Sequence, residues 1–331
     1  MSARILSPSE EALAEAAARL RAGELVGLPT ETVYGLAADA RNPAAVRRIF
    51  AAKGRPSDHP LIVHLPSAEH LPQWARDIPE EAWTLAHRFW PGPLTLVLRR
   101  SDGVPLEVTG GQETVALRVP AHPVALALLR AFGSGLAAPS ANRFGRVSPT
   151  TAADVLEELG EAVALVLDGG PCPVGVESTI LDLSRLDTVG PVILRPGAIG
   201  AEELTEALGR PVAMADGGAP RVSGSLPGHY APATPVRLVA AGEIEPVVTQ
   251  QLAQGKRIAL WSRHPVAASQ VVWQELPAAP EDLARRLYAQ LRAFDRLGVD
   301  EIVIERPQGE GPLARALADR LERAARGSGG R

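Results

Sequence analysis

The spacing of apolar and polar residues switches period many times along the chain, and each switch marks an element. Apolar positions three to four apart in SPSEEALAEAAARLRAG (7–23) predict a helix, with Ser7 as cap, Pro8 at the first helical position and Glu10 completing a capping box. ELVGLPT (24–30) predicts a strand running into a polar turn, and NPAAVRRIFAAKG (42–54) a helix stopped by Gly54 and Pro56. Strands are then expected in PLIVHL (60–65), LTLVLRR (94–100), TVALRVP (114–120), GLAAPSAN (135–142), ALVLDGG (164–170), ESTILDL (177–183) and PVILRPG (191–197). Helices are expected in PEEAWTLAHRFWPG (79–92), HPVALALLRAFG (122–133), TTAADVLEELG (150–160) and AEELTEALG (201–209). Several strands follow one another directly, which favours a twisted mixed sheet over a strictly alternating parallel one.

Residues 211–235 lose all periodicity and are rich in Gly, Pro, Ser and Ala, the composition of a linker or an active-site loop. Beyond them, strands in VRLVA, RIALWS, VVWQELP and EIVIERP alternate with helices near 243–254, 280–297 and 311–326. The expected organisation is a first α/β domain over 1–210, the linker over 211–235 and a smaller α/β domain over 236–331. The closing GSGGR is expected to fray.

A length of 331 residues allows two cores, and a net charge of −4 with no long basic block argues against a protein that coats nucleic acid or an anionic membrane. The single cysteine, Cys172, can form no internal disulfide and fits a small buried filler in a reducing, cytoplasmic setting. No apolar run reaches the roughly 18–20 residues that span a bilayer. Of 34 basic residues only Lys53 and Lys256 are lysines, so a lysine here is a minority choice.

Nucleotide signatures of the common kind are missing: no GxxxxGK[ST] occurs, and Gly133-Ser134-Gly135 follows a helix instead of a strand. What remains is a set of polar turns at strand ends, where ligands of open α/β sheets collect. Pro29 to Leu36, PTETVYGL, is either a turn whose threonines satisfy backbone amides or a ligand loop. Lys53-Gly54-Arg55-Pro56 either complements the dipole of the preceding helix or offers a point charge and a planar fork to phosphate or carboxylate. In Pro139-Ser140-Ala141-Asn142 the two polar side chains can share one side, and Ser148 either caps the next helix or lies beside an anion. Arg118, alternating with apolar Val115, Leu117 and Val119, faces water or a carboxylate.

In this order, PTETVYGL (29–36), KGRP…HPLIVH (53–64), PSAN (139–142), ESTI (177–180) and LRPG (194–197) resemble the YrdC-type domain of threonylcarbamoyl-AMP synthases. SGSLPGHYAPATPV (223–236) is similar to the linker of the two-domain form, which carries a small Rossmann-like α/β domain behind it. The resemblance implies an enzyme that joins L-threonine, bicarbonate or CO2, and ATP with Mg2+ into threonylcarbamoyl-adenylate. Its product would supply the tRNA threonylcarbamoyl transferase machinery that modifies adenosine 37. Residue by residue, it implies a threonine side made of Thr32, His64, Arg118, the backbone of Ala138, and Ser178. The ATP side would be Lys53, Arg55, His59, Thr114, Ser140, Asn142, Ser148, Arg195 and the linker's Ser225, with Lys53 and Arg55 as the catalytic cations and Tyr230 as a lid candidate. The other readings of the same residues are carbamoyl-phosphate adenylation, a non-catalytic nucleotide sensor and an RNA-binding translation factor; direct nucleic-acid binding is not expected to be strong.

Overall fold

The computed structural model describes residues 4–215, 218–224 and 226–328, divided into two compact units: Met1–Phe144 with Ser148–Ser225, and Gly145–Val147 with Leu226–Arg331. Ser225, a candidate nucleotide residue, and 329–331 in the predicted tail lie outside the described residues.

The first unit runs β1 (Arg4–Leu6), α1 (Glu10–Arg21), β2 (Val26–Leu28), β3 (Gly35–Asp39), α2 (Pro43–Lys53), β4 (Ile62–His64), α3 (Glu80–Phe89), β5 (Leu94–Arg99), α4 (Leu106–Thr109), β6 (Thr114–Arg118), α5 (Pro123–Phe132), β7 (Leu136–Ala137), α6 (Ala152–Leu159), β8 (Leu165–Leu167), β9 (Thr179–Asp182), β10 (Val192–Arg195), α7 (Ala201–Leu208) and β11 (Ala213–Met214). The helix boundaries follow from local chemistry. Asn42 caps α2 by accepting from the amides of Ala44 and Ala45, and Gly54 ends it at φ +60°, a conformation a side chain would strain. The first helix is capped by Ser9, whose side chain accepts from Ala12, and not by Ser7; residues 4–6 form a strand that the sequence pattern did not announce. Similarly, Thr151 caps α6 in a reciprocal box with Asp154, which leaves Ser148 outside the capping role considered for it.

The eleven strands form one mixed sheet in the order β1-β8-β2-β3-β7-β4-β6-β5-β9-β10-β11. Alternation along each strand sorts its two faces. Leu36, Ala38, Val63, Leu96, Leu98, Leu117, Leu181 and Ile193 enter one large core with α2 and α3. On the opposite face, Val26, Leu28, Ala37, Leu136, Leu165 and Leu167 lie under α1 and α5. Because His64 pairs with Leu136 across β4 and β7, that same face continues over β4, β6, β5, β9 and β10. There it bears His64, Arg118, Thr114 and Thr95 around a small apolar patch of Ile62, Val97, Ala116 and Ile180. The polar residues therefore sit where the second helical layer ends.

In the second unit β12 (Val236–Val239), α8 (Ile244–Ala253), β13 (Ile258–Ser262), β14 (Val271–Glu275), α9 (Pro280–Arg296), β15 (Glu301–Glu305) and α10 (Pro312–Gly327) build an all-parallel four-stranded sheet ordered β12-β15-β13-β14. Val239, Val248, Ile258, Leu260 and Val303 form one of its cores, and Trp261 packs edge-on against Phe294 of α9. The expected class, a mixed α/β sheet with a smaller Rossmann-like α/β partner, describes both units. Among the described residues no helix is long and apolar enough to cross a membrane.

Candidate active site

Parallel pairing of β4 with β6 places His64 directly beside Arg118 at the strand ends, both buried on the same face. Arg118, one of whose readings was a side chain facing water, is 3 % exposed. Its guanidinium donates from Nε to the carbonyl of Gly92 (3.1 Å) and from Nη1 to Thr32 Oγ1 (3.0 Å), while Nη2 lies 2.6 Å from the carboxylate of Glu31. Thr30 and Thr32 share a hydroxyl hydrogen bond of 2.9 Å, and Thr30 also donates to the carbonyl of Val33. The turn between β2 and β3 is thus capped by its own threonines and at the same time fastened to an arginine on β6. Neither ring nitrogen of His64 has a hydrogen-bond partner. Burial, reinforced by the Arg118 charge, holds its proton affinity well below the usual imidazole value, so the ring is neutral.

Two strands over, Ser178 precedes β9 and its hydroxyl pairs with that of Thr95 at 2.8 Å. Arg195, at the end of β10, grips Ser178 through the carbonyl (3.0 and 2.9 Å) and the hydroxyl (3.0 Å), and donates to the carbonyl of Ser223 (3.0 Å). The LRPG turn lies against the same residue: a Cβ on Gly197 would stand 2.3 Å from the amide nitrogen of Thr179, which only glycine avoids. Ser148 donates to Glu177 at 2.7 Å, next in sequence to Ser178. The segment before Ser225 crosses this face. Val222 joins the patch of Ile62, Val97, Ala116 and Ile180, Arg221 pairs with Asp58 at 3.0 Å, and Arg221 exchanges two hydrogen bonds with the Gln112 amide. Thr114 lines a small cavity beside Val222 and Ser223.

The KGRP turn, Lys53 to Pro56, closes the other side. Lys53 is the last residue of α2, and its buried Nζ donates to the carbonyls of Ser140 (2.6 Å) and Asn142 (2.5 Å). The Phe144 amide returns a bond to the Lys53 carbonyl at 2.7 Å. Arg55 donates to the Pro60 carbonyl at 2.9 Å and lies 5.8 Å from the Phe144 ring centre, and His59 meets the same ring edge-on at 5.3 Å. Desolvation, and then the neighbouring Arg55 charge, depress the Lys53 ammonium well below its ordinary value. An arriving polyanion would reverse that balance and favour the charged form. The KGRP and PSAN turns, far apart in sequence, are therefore one structure.

Of the residues expected on the threonine side, Thr32, His64, Arg118 and Ser178 lie on this face or at its rim. The Ala138 amide is spent on the Ile62 carbonyl (3.0 Å), so only its carbonyl can serve a ligand. On the nucleotide side Lys53, Arg55, His59, Ser140 and Asn142 come together, while Thr114 and Arg195 meet the strap at 221–223. Tyr230 belongs to the second unit, where it is 1 % exposed and stacks on Tyr288 with the Arg320 guanidinium 5.1 Å from its ring. Sequence reading missed Glu31, Thr95, Phe144 and Glu177. Glu31 and Glu177 each carried a signal, as the one carboxylate of the first motif and of ESTI. Cys172 is buried, its thiol pushed upward first by desolvation and then by the Glu31 charge, as expected of a filler. A broad cleft lined by Arg4, Arg19, Glu24 and Arg48 lies elsewhere on the first unit; its arginines already engage Glu15, Glu24 and the Gly23 carbonyl.

Comparison with known proteins gives one family. The Sua5/YciO/YrdC model, described as telomere recombination, matches residues 18–197, and a model described as threonylcarbamoyl-AMP synthase, C-terminal domain, matches 199–326. The chain is 43% identical to the threonylcarbamoyl-AMP synthase of Pyrococcus abyssi, over 93% of this chain and 92% of that one. It is 42% identical to the Bacillus subtilis protein of the same name, over 97% and 95%. Among solved structures, P. abyssi Sua5 complexed with L-threonine matches with a TM-score of 0.90 at 40% identity, covering 98% of this chain and 97% of that chain.

Proposed function

The chain belongs to the Sua5 family of two-domain threonylcarbamoyl-AMP synthases, and from that premise we propose how its first unit makes L-threonylcarbamoyladenylate from L-threonine, bicarbonate and ATP. The observation that carries the reading is a continuous polar seam on one sheet face. The buried Arg118–His64 pair stands at one end, and the Ser178–Arg195 pair links that neighbourhood to the strap. Arg118 is suited to a carboxylate and His64 to a hydroxyl or amine, since its ring nitrogens are buried and without partners. Lys53 and Arg55 face the triphosphate, with Ser140, Asn142, Ser148, His59 and Thr114 around the nucleotide.

The chemistry asks little covalent help of the protein. The threonine amine attacks bicarbonate to give the carbamate and water; a carbamate oxygen then attacks the α-phosphorus and diphosphate leaves. Positioning and charge stabilisation suffice for both steps. Magnesium enters with ATP as part of the substrate; among the described residues no group of three or more His, Cys, Asp or Glu is arranged to hold an ion. The product is labile in water and suits direct use by a tRNA threonylcarbamoyl transferase in the cytoplasm.

Diphosphate release from MgATP, with threonine and bicarbonate omitted in turn, tests the reading. Release that requires both, with the adenylate identified by mass spectrometry, supports it; ATP binding without any release overturns it. Lys53→Ala is expected to lower turnover by at least about 100-fold, the scale of losing one charge-stabilising group, with an unchanged circular dichroism spectrum. Near-normal turnover would remove Lys53 from the mechanism.

A further inference from the structure

Glu31 is a buried anion with an unfinished set of contacts. It is 6 % exposed, and neither carboxylate oxygen accepts a hydrogen bond. Arg118 Nη2 approaches Oε1 to 2.6 Å, but its N–H is not directed at the oxygen, so the two meet as charges. A buried carboxylate without donors carries a desolvation cost that a ligand bearing N–H donors can relieve. The backbone fixes it in place, because the Val174 amide donates to the Glu31 carbonyl at 2.8 Å. The two hydroxyls flanking it are committed: Thr30 to Val33 and Thr32, and Thr32 to Thr30 and Arg118.

We propose that Glu31 is the receptor for the α-ammonium group of the amino-acid substrate as it binds, before that group gives up to solvent the proton it must lose to attack bicarbonate. The proposal rests on the reading of this face as the threonine side. A zwitterionic α-amino acid carries its positive and negative groups on one carbon. Glu31 and Arg118 present the complementary negative and positive groups side by side, so one rigid ligand satisfies both at once. Arg118 takes the carboxylate with its remaining N–H groups, and Glu31 takes the ammonium with oxygens that accept nothing from the protein. The pair therefore selects a free α-amine beside a free carboxylate. His64, neutral and adjacent to Arg118, is left for the side-chain hydroxyl.

A merely structural Glu31, holding Arg118 in place, makes a different prediction, and calorimetric titration of the full chain separates the two. The probes are L-threonine and 3-hydroxybutyrate, which keeps the carboxylate, hydroxyl and methyl but lacks the amine. Wild type is expected to prefer threonine strongly. In Glu31→Gln that preference should shrink by roughly 10- to 100-fold, the scale of a charge-assisted hydrogen bond, with 3-hydroxybutyrate binding nearly unchanged. Glu31→Asp, which keeps the charge, should retain part of the preference and shows that loss in the Gln variant is not misfolding. Equal weakening of both ligands in Glu31→Gln, or no change in either, overturns the proposal. Failure of the wild-type chain to bind threonine would instead remove the functional reading on which it stands.

Discussion

At the scale of single residues the site is built from charges kept out of water. His64 gives the most direct readout. The unfolded chain takes up a proton at this residue below pH 6.5, its ordinary value, whereas burial and Arg118 keep the folded ring neutral well below that. The stability it contributes is complete above pH 6.5 and drains away as acid approaches the depressed native value. Denaturant melts of the ligand-free protein are therefore expected to lose midpoint between pH 6.5 and 5, and His64→Gln to lose less over the same interval. Parallel declines in both proteins would assign the acid sensitivity elsewhere.

At the scale of elements, turns are fitted to strands with little tolerance. Gly197 is pressed against Ser178 and Thr179, so Gly197→Ala must push β9 or the LRPG turn aside. Overpacking of this kind costs about 1–3 kcal/mol. A lowered thermal midpoint together with weaker threonine binding is expected, and a variant unchanged in both would show that the turn yields. The long helices were legible because their apolar stripes persist for two or three turns, as in α2, α3 and α5. β3 was not: GLAAD has one large apolar residue, Leu36, among small and acidic ones between two turns and shows no period. The same contrast holds in the site. Lys53, Arg55, Ser140, Asn142 and Arg195 could be picked out because each sits in or next to a distinctive turn. Thr95 and Phe144 could not, since their partners Ser178 and Arg55 are brought to them by folding alone.

At the scale of the whole molecule, residues 145–147 belong to the second unit although the chain on either side belongs to the first. Within that unit the Gly145 carbonyl accepts from the Ala231 amide, Val147 from Arg292, and Arg146 lies 3.6 Å from Asp295. These three residues are among the five that separate Asn142 from Ser148, two candidate nucleotide contacts. Arg146→Ala, which removes this ion pair while Asp295 keeps the amides of Ala233 and Thr234, is expected to raise KM for ATP several-fold, the scale of losing about 1 kcal/mol from one partly exposed ion pair, with KM for threonine unmoved; identical constants would show the loop is held without it. The first sheet has a different consequence, for synthesis. β1 pairs with β8, so Arg4 must await Leu165. At ribosomal speeds of roughly 5–20 residues per second that wait is on the order of 10–30 s. β1 thus spends that interval of synthesis without its neighbour, and the nascent chain should depend on holding chaperones until β8 has emerged.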